Sequence, residues 1–108
     1  TEKIKDFIKD KRIVIIGPIR QELLSGVSNT KTFNKLKEML SAFEDTPLNT
    51  EHFVKAAEFS NTCRNKGLQG STIDFLICAV AYIEDFTIFT TDNDFENYKK
   101  YLPIKLIK

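Results

Sequence analysis

Acidic residues occur at three places along the chain where they could act together. Glu22 lies in the run GPIRQELLSG, Asp74 in GSTIDFLICA, and Asp92 and Asp94 in TTDNDF. Carboxylates held close together repel one another, and a cation among them offsets that repulsion. Hard divalent ions such as Mg²⁺ or Mn²⁺ prefer oxygen ligands, activate a bound water and stabilise charge on a phosphate. An acidic site without neighbouring histidine or cysteine therefore indicates metal-assisted phosphoryl chemistry rather than zinc hydrolysis.

Each of these acids also has a purely structural interpretation. Ser71-x-x-Asp74 matches the Asp form of a capping box, so Asp74 taken alone has even odds of serving only a helix start. A single Glu22 is more often an exposed helix residue, and Asp92 and Asp94 each suit a turn or a helix N-cap. The functional hypothesis therefore depends on all four acids together.

The elements that would position these acids alternate between strand and helix. The β-branched run IVII at residues 13–16 predicts a buried strand, and the Gly-Pro pair after it predicts a helix that Gly26 closes. A second strand is predicted at 87–91, a short helix at 95–102 and a final strand at 104–107. This alternation predicts an α/β fold with a mainly parallel sheet, in which sites form beyond the carboxyl ends of the strands.

Further helices are predicted between the two main strands. Apolar residues recur at helical spacing over 33–43 and 53–59, and Pro47 separates these segments, which we expect to form an antiparallel helix pair. Thr50 is the expected N-cap of the second segment. The wholly apolar stretch 75–83 predicts a helix that is buried on most sides.

Composition narrows the class of protein. The chain has 108 residues, of which 42% are hydrophobic and 29% charged, so a single globular domain over 1–108 is expected. A net charge of +1 argues against the strong, sequence-independent attraction to phosphates that basic proteins show. The near-neutral charge does not exclude nucleic-acid binding at a local site where a metal ion supplies the positive charge. No run approaches the roughly 20 apolar residues of a membrane span.

The remaining residues of chemical interest have structural explanations. Cys63 and Cys78 show neither metal-ligand nor disulfide spacing, so we expect buried thiols and a reducing, cytoplasmic location. His52 is the only histidine, and a position at the surface or at a helix start is expected for it. The run from Asp92 does not fit a calcium loop, which requires Gly at its sixth position.

The acids lie in segments that resemble those of the PIN-domain family. The run IVIIGPIRQELLSG resembles the strand and helix that carry a Glu in an E-L-x-x-G setting, and GSTIDFLICA resembles the family's D-x-x-I-A helix start. TTDNDF resembles its T-x-D-x-D-F turn. Order and spacing agree over nearly the whole chain, and the closest type is the VapC toxin ribonuclease.

This resemblance implies a PIN-like three-layer α/β fold and a Mg²⁺- or Mn²⁺-dependent endoribonuclease. Such proteins are typically the toxin of a toxin–antitoxin pair and often homodimers, which implies RNA as substrate and an antitoxin as partner. By the same resemblance, Glu22, Asp74 and Asp92 would be the acidic metal-site residues. Asp94 would be a fourth member of the site or a group that supports the ligands.

Three further residues are implicated near these acids. By the resemblance, Thr91 would orient the site through its hydroxyl, and Asn93 would do the same or serve a turn. Arg20, close to Glu22 in sequence, would pair with a phosphate or with a local carboxylate.

The beginning of the chain departs from the family pattern. Family members begin with a hydrophobic strand that ends in a metal-binding Asp, whereas residues 4–11 predict a polar helix that carries Asp6 and Asp10. Either residues upstream supply the first ligand or this chain has lost it, and of the two we expect a domain that is truncated at its N-terminus. The alternatives are a non-catalytic PIN-fold module that binds RNA or a protein partner, and an unrelated α/β interaction domain whose acids are helix caps.

Overall fold

The structure, a computed structural model, describes residues 17–90 and 92–107. These residues form five helices and two strands: α1 (Gly17–Ser25), α2 (Thr30–Leu40), α3 (Thr50–Asn65), α4 (Thr72–Glu84), β1 (Thr87–Phe89), α5 (Asn93–Lys99) and β2 (Lys105–Ile107). The chain divides into two compact units, Thr1–Pro47 and Leu48–Lys108, here called the N-terminal and C-terminal units.

In the N-terminal unit, helices α1 and α2 share a small apolar cluster. Leu40 and Phe43 are its buried members, and apolar side chains from both helices pack against them: Ile19, Leu24 and Leu36. Asn29 caps α2 by accepting a hydrogen bond from the backbone N–H of Thr32 at 3.0 Å. The cap satisfies one of the amides that a helix start leaves without a partner.

The C-terminal unit holds the larger core, which is built around α4. Six residues of this helix are buried, as its wholly apolar sequence predicts. Its most extensive packing is with α3. The core joins α3 and α4 to α5 and the segment before β2, and its buried members include these residues: Phe59, Cys63, Phe75, Cys78, Tyr98, Leu102 and Ile104. Both cysteines are buried free thiols, as expected.

Strands β1 and β2 pair in parallel, with α5 between them in sequence. Ile88 lies opposite Leu106 in the register, and the backbone N–H of Thr90 extends the ladder by donating to the Ile107 carbonyl at 3.2 Å. Helix α4 ends at Asp85, whose φ of 59° lies in the left-handed region. Lys105 Nζ donates to the Asp85 carboxylate at 2.6 Å and so connects the end of α4 to the start of β2.

These elements confirm the predicted α/β class with its parallel sheet, and α4 begins after Ser71 as predicted. Four boundaries in this region differ from expectation, since α5 also ends at Lys99 rather than at 102 and β2 begins at Lys105 rather than at 104. Strand β1 ends at Phe89, and α5 begins at Asn93, because Asp92 caps the helix earlier than the apolar pattern indicates. The predicted helix at 4–11 and strand at 13–16 lie outside the described residues, and the single domain over 1–108 stays a prediction.

One prediction about α3 is wrong. Its N-cap is Asn49 rather than Thr50, because the Asn49 side chain accepts from the Glu51 backbone N–H at 3.1 Å. Within the units, α2 packs with α1 and α3 packs with α4. The expected pairing of the helical segments at 33–43 and 53–59 joins the two units and stays a prediction. Among the described residues, no helix is long and apolar enough to cross a membrane.

His52 is buried, with 2% of its surface exposed, and it lies at the start of α3, the second of the two positions expected for it. Its Nδ1 accepts a hydrogen bond from the backbone N–H of Asn49 at 3.1 Å, which completes a capping box. The imidazole therefore lies at the first turn of α3. The ring therefore serves the fold of the C-terminal unit.

Candidate metal centre

Three aspartates meet in the C-terminal unit. Asp74, Asp92 and Asp94 each place one carboxylate oxygen within 4.8 Å of the others. Asp74 comes from the first turn of α4, and the other two come from the segment that follows β1 and begins α5. Asp74 is half-buried, whereas Asp92 and Asp94 are exposed. The cluster therefore lies beyond the carboxyl end of a strand and opens to solvent at one side.

The start of α4 places Asp74. Ser71 has extended backbone and caps the helix, its Oγ accepting from the Asp74 backbone N–H at 3.0 Å. The Asp74 amide is thereby used in the cap. Its carboxylate extends to another element, where Oδ2 accepts a hydrogen bond from the Tyr98 hydroxyl at 2.7 Å. Asp74 thus has the structural role of a residue in a capped first turn and also belongs to the cluster.

Tyr98 is the residue of α5 that holds this carboxylate. Only 1% of its surface is exposed, and its ring packs against Phe75 at 5.1 Å and Phe95 at 5.2 Å between ring centroids. Burial, the hydrogen bond to Asp74 and the nearby negative charges raise the pKa of Tyr98 well above its usual range. The hydroxyl therefore keeps its proton at neutral pH and acts as a donor to Asp74.

Gly70 leaves the space that Tyr98 occupies. A Cβ atom at this position would lie 2.5 Å from Tyr98 Oη and 2.8 Å from both Phe75 Cζ and Tyr98 Cε1. Real Cβ atoms essentially never approach other atoms so closely. Glycine is therefore required here for close packing, and the orientation of the Tyr98 hydroxyl toward Asp74 depends on it.

Asp92 is fixed by the turn after β1. Its Oδ1 accepts from the Asp94 backbone N–H at 2.9 Å, and its own backbone N–H donates to Thr90 Oγ1 at 3.0 Å. The N-cap interpretation of Asp92 is therefore right, and it is compatible with a place in the cluster. A carboxylate has about four lone-pair positions, and the cap uses only one of them.

The donor set fits a hard divalent cation. All three groups present carboxylate oxygens, the ligands that Mg²⁺ and Mn²⁺ prefer. Over the described part of the C-terminal unit, no Lys or Arg forms an ion pair with any of the three. Since no such side chain neutralises these carboxylates, a bound cation would relieve their mutual repulsion.

The other predicted site residues lie as follows. Glu22 is exposed on α1 in the N-terminal unit, and Asn93 is the exposed first residue of α5. Thr91 lies outside the described residues. Arg20 has a local carboxylate as partner, with its Nε 2.8 Å from Asp45 Oδ1, and its guanidinium also donates to the Leu40 carbonyl at 2.9 Å. The participation of Glu22, Thr91, Asn93 and Arg20 in the site stays a prediction.

Sequence reasoning missed Tyr98 and the packing role of Gly70. One signal was present, because Tyr98 follows Phe95 by three residues and Asp94 by four, which places all three on adjacent parts of one helix surface. A buried tyrosine also requires a partner for its hydroxyl. The contact with Asp74 joins positions that are 24 residues apart, and nothing local in the sequence indicates it.

Comparison with known proteins agrees with this geometry. A family model described as PIN domain matches residues 1–101 of the chain, a span that includes all three clustered aspartates. Among curated proteins, no match to the chain was found.

Proposed function

Since the chain belongs to the PIN-domain family, a family of nucleases, we propose that it is an endoribonuclease that hydrolyses RNA phosphodiester bonds with Mg²⁺ or Mn²⁺ as cofactor. The observation that carries this proposal is the meeting of Asp74, Asp92 and Asp94, whose carboxylate oxygens lie within 4.8 Å of one another. Side chains from two separate elements contribute to it. A cap alone would explain each acid but not their convergence.

The metal would be held by Asp74 and Asp92, with Asp94 as a further ligand or as a support for the other two. Glu22 would complete the set from α1, as the family resemblance implies. When bound, the cation supplies an activated water and offsets the charge that develops on the phosphate. Water is the nucleophile in this proposal, because no serine or cysteine with an adjacent base accompanies the acids.

The chain's own residues would prepare the site. The Tyr98 hydroxyl holds Oδ2 of Asp74, so that carboxylate is oriented before a ligand arrives. The turn at Asp92 is fixed by two hydrogen bonds of 2.9 and 3.0 Å. Such preorganisation reduces the free energy needed to assemble the ligands around a cation. Thr91 and Asn93 are proposed to orient the acids from the same turn.

The biological setting follows from the same family resemblance. We propose that the protein is the toxin of a toxin–antitoxin pair, that a cognate antitoxin protein binds it, and that it acts on cytoplasmic RNA as a homodimer.

Arg20 is proposed to stabilise the segment that carries Glu22, since its guanidinium connects α1 to Asp45 and to the Leu40 carbonyl.

Cleavage of RNA by matched variants tests this proposal. The wild-type chain should cleave RNA with Mg²⁺ or Mn²⁺ and stop when a chelator is added. Asp74→Asn and Glu22→Gln should each lower the cleavage rate by about 100-fold or more, since each removes a charged group from the reacting site.

The matched control is Asp85→Asn. Asp85 is an exposed acid outside the cluster, and asparagine tolerates its left-handed backbone, so this variant should cleave at the wild-type rate. Unfolding of each variant in denaturant separates loss of chemistry from loss of fold. Unchanged cleavage in both Asp74→Asn and Glu22→Gln would refute the proposal and favour a non-catalytic binding module.

A further inference from the structure

A cleft of about 250 Å³ lies on the C-terminal unit between the end of α3 and the start of α4. Its walls carry a cation, a hydroxyl, an amide and two apolar side chains, from Ser60, Arg64, Leu68, Gln69, Gly70 and Phe75. None of these residues belongs to the aspartate cluster. The cleft therefore combines one cation with neutral hydrogen-bonding groups and apolar side chains.

The cleft lies directly beside the aspartate cluster. Gly70 lines the cleft and touches Tyr98, because a Cβ atom on Gly70 would lie 2.5 Å from the Tyr98 hydroxyl oxygen. That same hydroxyl donates to Asp74 at 2.7 Å. Phe75, which also lines the cleft, follows Asp74 directly on α4. The Tyr98 side chain therefore connects the cleft wall at Gly70 to the Asp74 carboxylate.

Arg64 supplies the positive charge of the cleft. It is exposed in the last turn of α3, and over the described residues its guanidinium forms no ion pair. A guanidinium presents five N–H donors in a planar fork that matches a phosphate. A role in stabilising the helix C-terminus would account for the charge of Arg64, but not for its position on a cleft beside three acids.

We propose that this cleft binds the RNA backbone at a phosphate next to the one that is cleaved, with Arg64 as its phosphate ligand. The inference rests on the proposed ribonuclease function. RNA that approaches the cluster meets three carboxylates, and Arg64, which forms no ion pair over the described residues, would offer a positive charge in the adjoining cleft. Ser60 and Gln69 offer a hydroxyl and an amide to the neighbouring sugar and phosphate oxygens.

The geometry also indicates that the cleft does not recognise RNA bases. Phe75 has only 3% of its surface exposed, so its ring is not available as a platform for base stacking. Recognition at this cleft would therefore be of backbone phosphate and sugar, without preference for base. Arg64 is a binding residue for the flanking phosphate in this proposal, separate from the metal ligands.

Binding of a fluorescent single-stranded RNA to the full chain tests the inference, with a chelator present so that binding is measured without cleavage. Arg64→Gln should weaken the Kd about tenfold, as loss of a charge-assisted phosphate contact implies. It should also lower the slope of log Kd against log salt by about 0.7, the value for one phosphate contact on a single strand.

Two further variants isolate the geometry of the contact. Lys66 is two residues from Arg64 and does not line the cleft. Lys66→Gln removes the same charge and should leave the Kd for RNA within about twofold of wild type. Arg64→Lys keeps the positive charge that a helix C-terminus favours, but it lacks the planar guanidinium fork. Compared with Arg64→Gln, it should recover the wild-type folding stability fully and the wild-type RNA binding only in part.

A set of oligonucleotides, each with one neutral methylphosphonate in place of a phosphate, locates the contact. One substitution next to the cleaved position should weaken binding to the wild-type chain and have no effect on Arg64→Gln. Equal Kd values for Arg64→Gln, Lys66→Gln and wild type would overturn the inference, and so would an absence of RNA binding by the wild-type chain.

Failure of the ribonuclease proposal would look different. In that case RNA would not be cleaved with Mg²⁺ or Mn²⁺, whatever the binding experiments show. Cleavage by the wild-type chain together with an unchanged KM in Arg64→Gln would overturn only the phosphate site. A raised KM with little change in kcat in that variant would support it.

Discussion

Substitution of Gly70 by alanine should disturb both the core and the metal centre. The new methyl group would lie 2.5 Å from Tyr98 Oη, about 0.9 Å inside the 3.4 Å at which ordinary van der Waals contact begins. It would also lie 2.8 Å from atoms of the Tyr98 and Phe75 rings, which are 1% and 3% exposed. Buried rings cannot move aside without displacing their own neighbours.

The cost should match that of overpacking a dense core. Gly70→Ala is expected to lower the free energy of unfolding by about 1–3 kcal/mol. Tyr98→Phe removes the hydroxyl that donates to Asp74 and should cost about 1–2 kcal/mol, since Asp74 is half-buried and gains water in exchange. The two changes share one contact, so their effects should not add.

The double variant measures that coupling. In the Tyr98→Phe background the 2.5 Å overlap is absent while the two contacts at 2.8 Å persist, so Gly70→Ala should be about 1 kcal/mol less costly there than in the wild-type chain. Urea unfolding followed by circular dichroism in metal-free buffer gives all four free energies. Wild-type stability for Gly70→Ala, or strictly additive effects in the double variant, would refute the packing argument.

Two further predictions follow from the titrating groups of the C-terminal unit. Burial, with a smaller effect of the nearby Asp74 charge, raises the pKa of Cys78 to about 12. This thiol should therefore resist iodoacetamide at pH 8 in the folded chain and react after denaturation. Rapid labelling of the folded protein, measured by mass spectrometry, would contradict this prediction. The hydrogen bond from Lys105 lowers the pKa of Asp85 below its ordinary 3.8. The stability that this ion pair provides is therefore present above pH 3.8, and it is lost as the pH falls through the lowered pKa of Asp85. Lys105→Gln should therefore lower the thermal midpoint of unfolding at pH 7, and its difference in midpoint from wild type should shrink below about pH 4. A difference in midpoint that stays constant from pH 7 to below pH 4 would show that the pair contributes through packing alone.

Much of the fold could be predicted because its signals are local. The start of α4 depends on Ser71 and the apolar residues just after it, and the turn after β1 depends on Asp92 as a helix cap. These are short-range effects of capping and periodicity, which a sequence carries directly. The parallel pairing of β1 and β2 followed from the helix between them.

Other features depend on contacts between distant positions. The hydroxyl of Tyr98 meets Asp74 across 24 residues, and Gly70 is needed because the Tyr98 ring comes to lie against it. His52 is expected at the surface or at a helix start, and in the structure it is buried at the start of α3, where its ring accepts a hydrogen bond from the Asn49 amide. Apolar patterning does not report such polar contacts, since each depends on a single side-chain orientation.

The acids illustrate the same division. The sequence predicted that four acids converge, and the structure brings three of them together: Asp74, Asp92 and Asp94. Asp92 and Asp94 follow strand β1, whereas Asp74 lies in the first turn of α4, after a helix and a loop. The cap and cluster interpretations, which looked like alternatives in the sequence, are both true of Asp92. A carboxylate that caps one amide has lone pairs left for a cation.

The most direct test of the account is to locate a bound metal ion on the folded chain. In a titration with Mn²⁺ followed by NMR, the backbone signals of Asp74, Asp92 and Asp94 should broaden first. Asp74→Asn should require far more Mn²⁺ for the same effect, while Asp85→Asn should behave as wild type. Broadening centred elsewhere, or equal broadening in the wild type and Asp74→Asn, would contradict a metal centre built on these three aspartates.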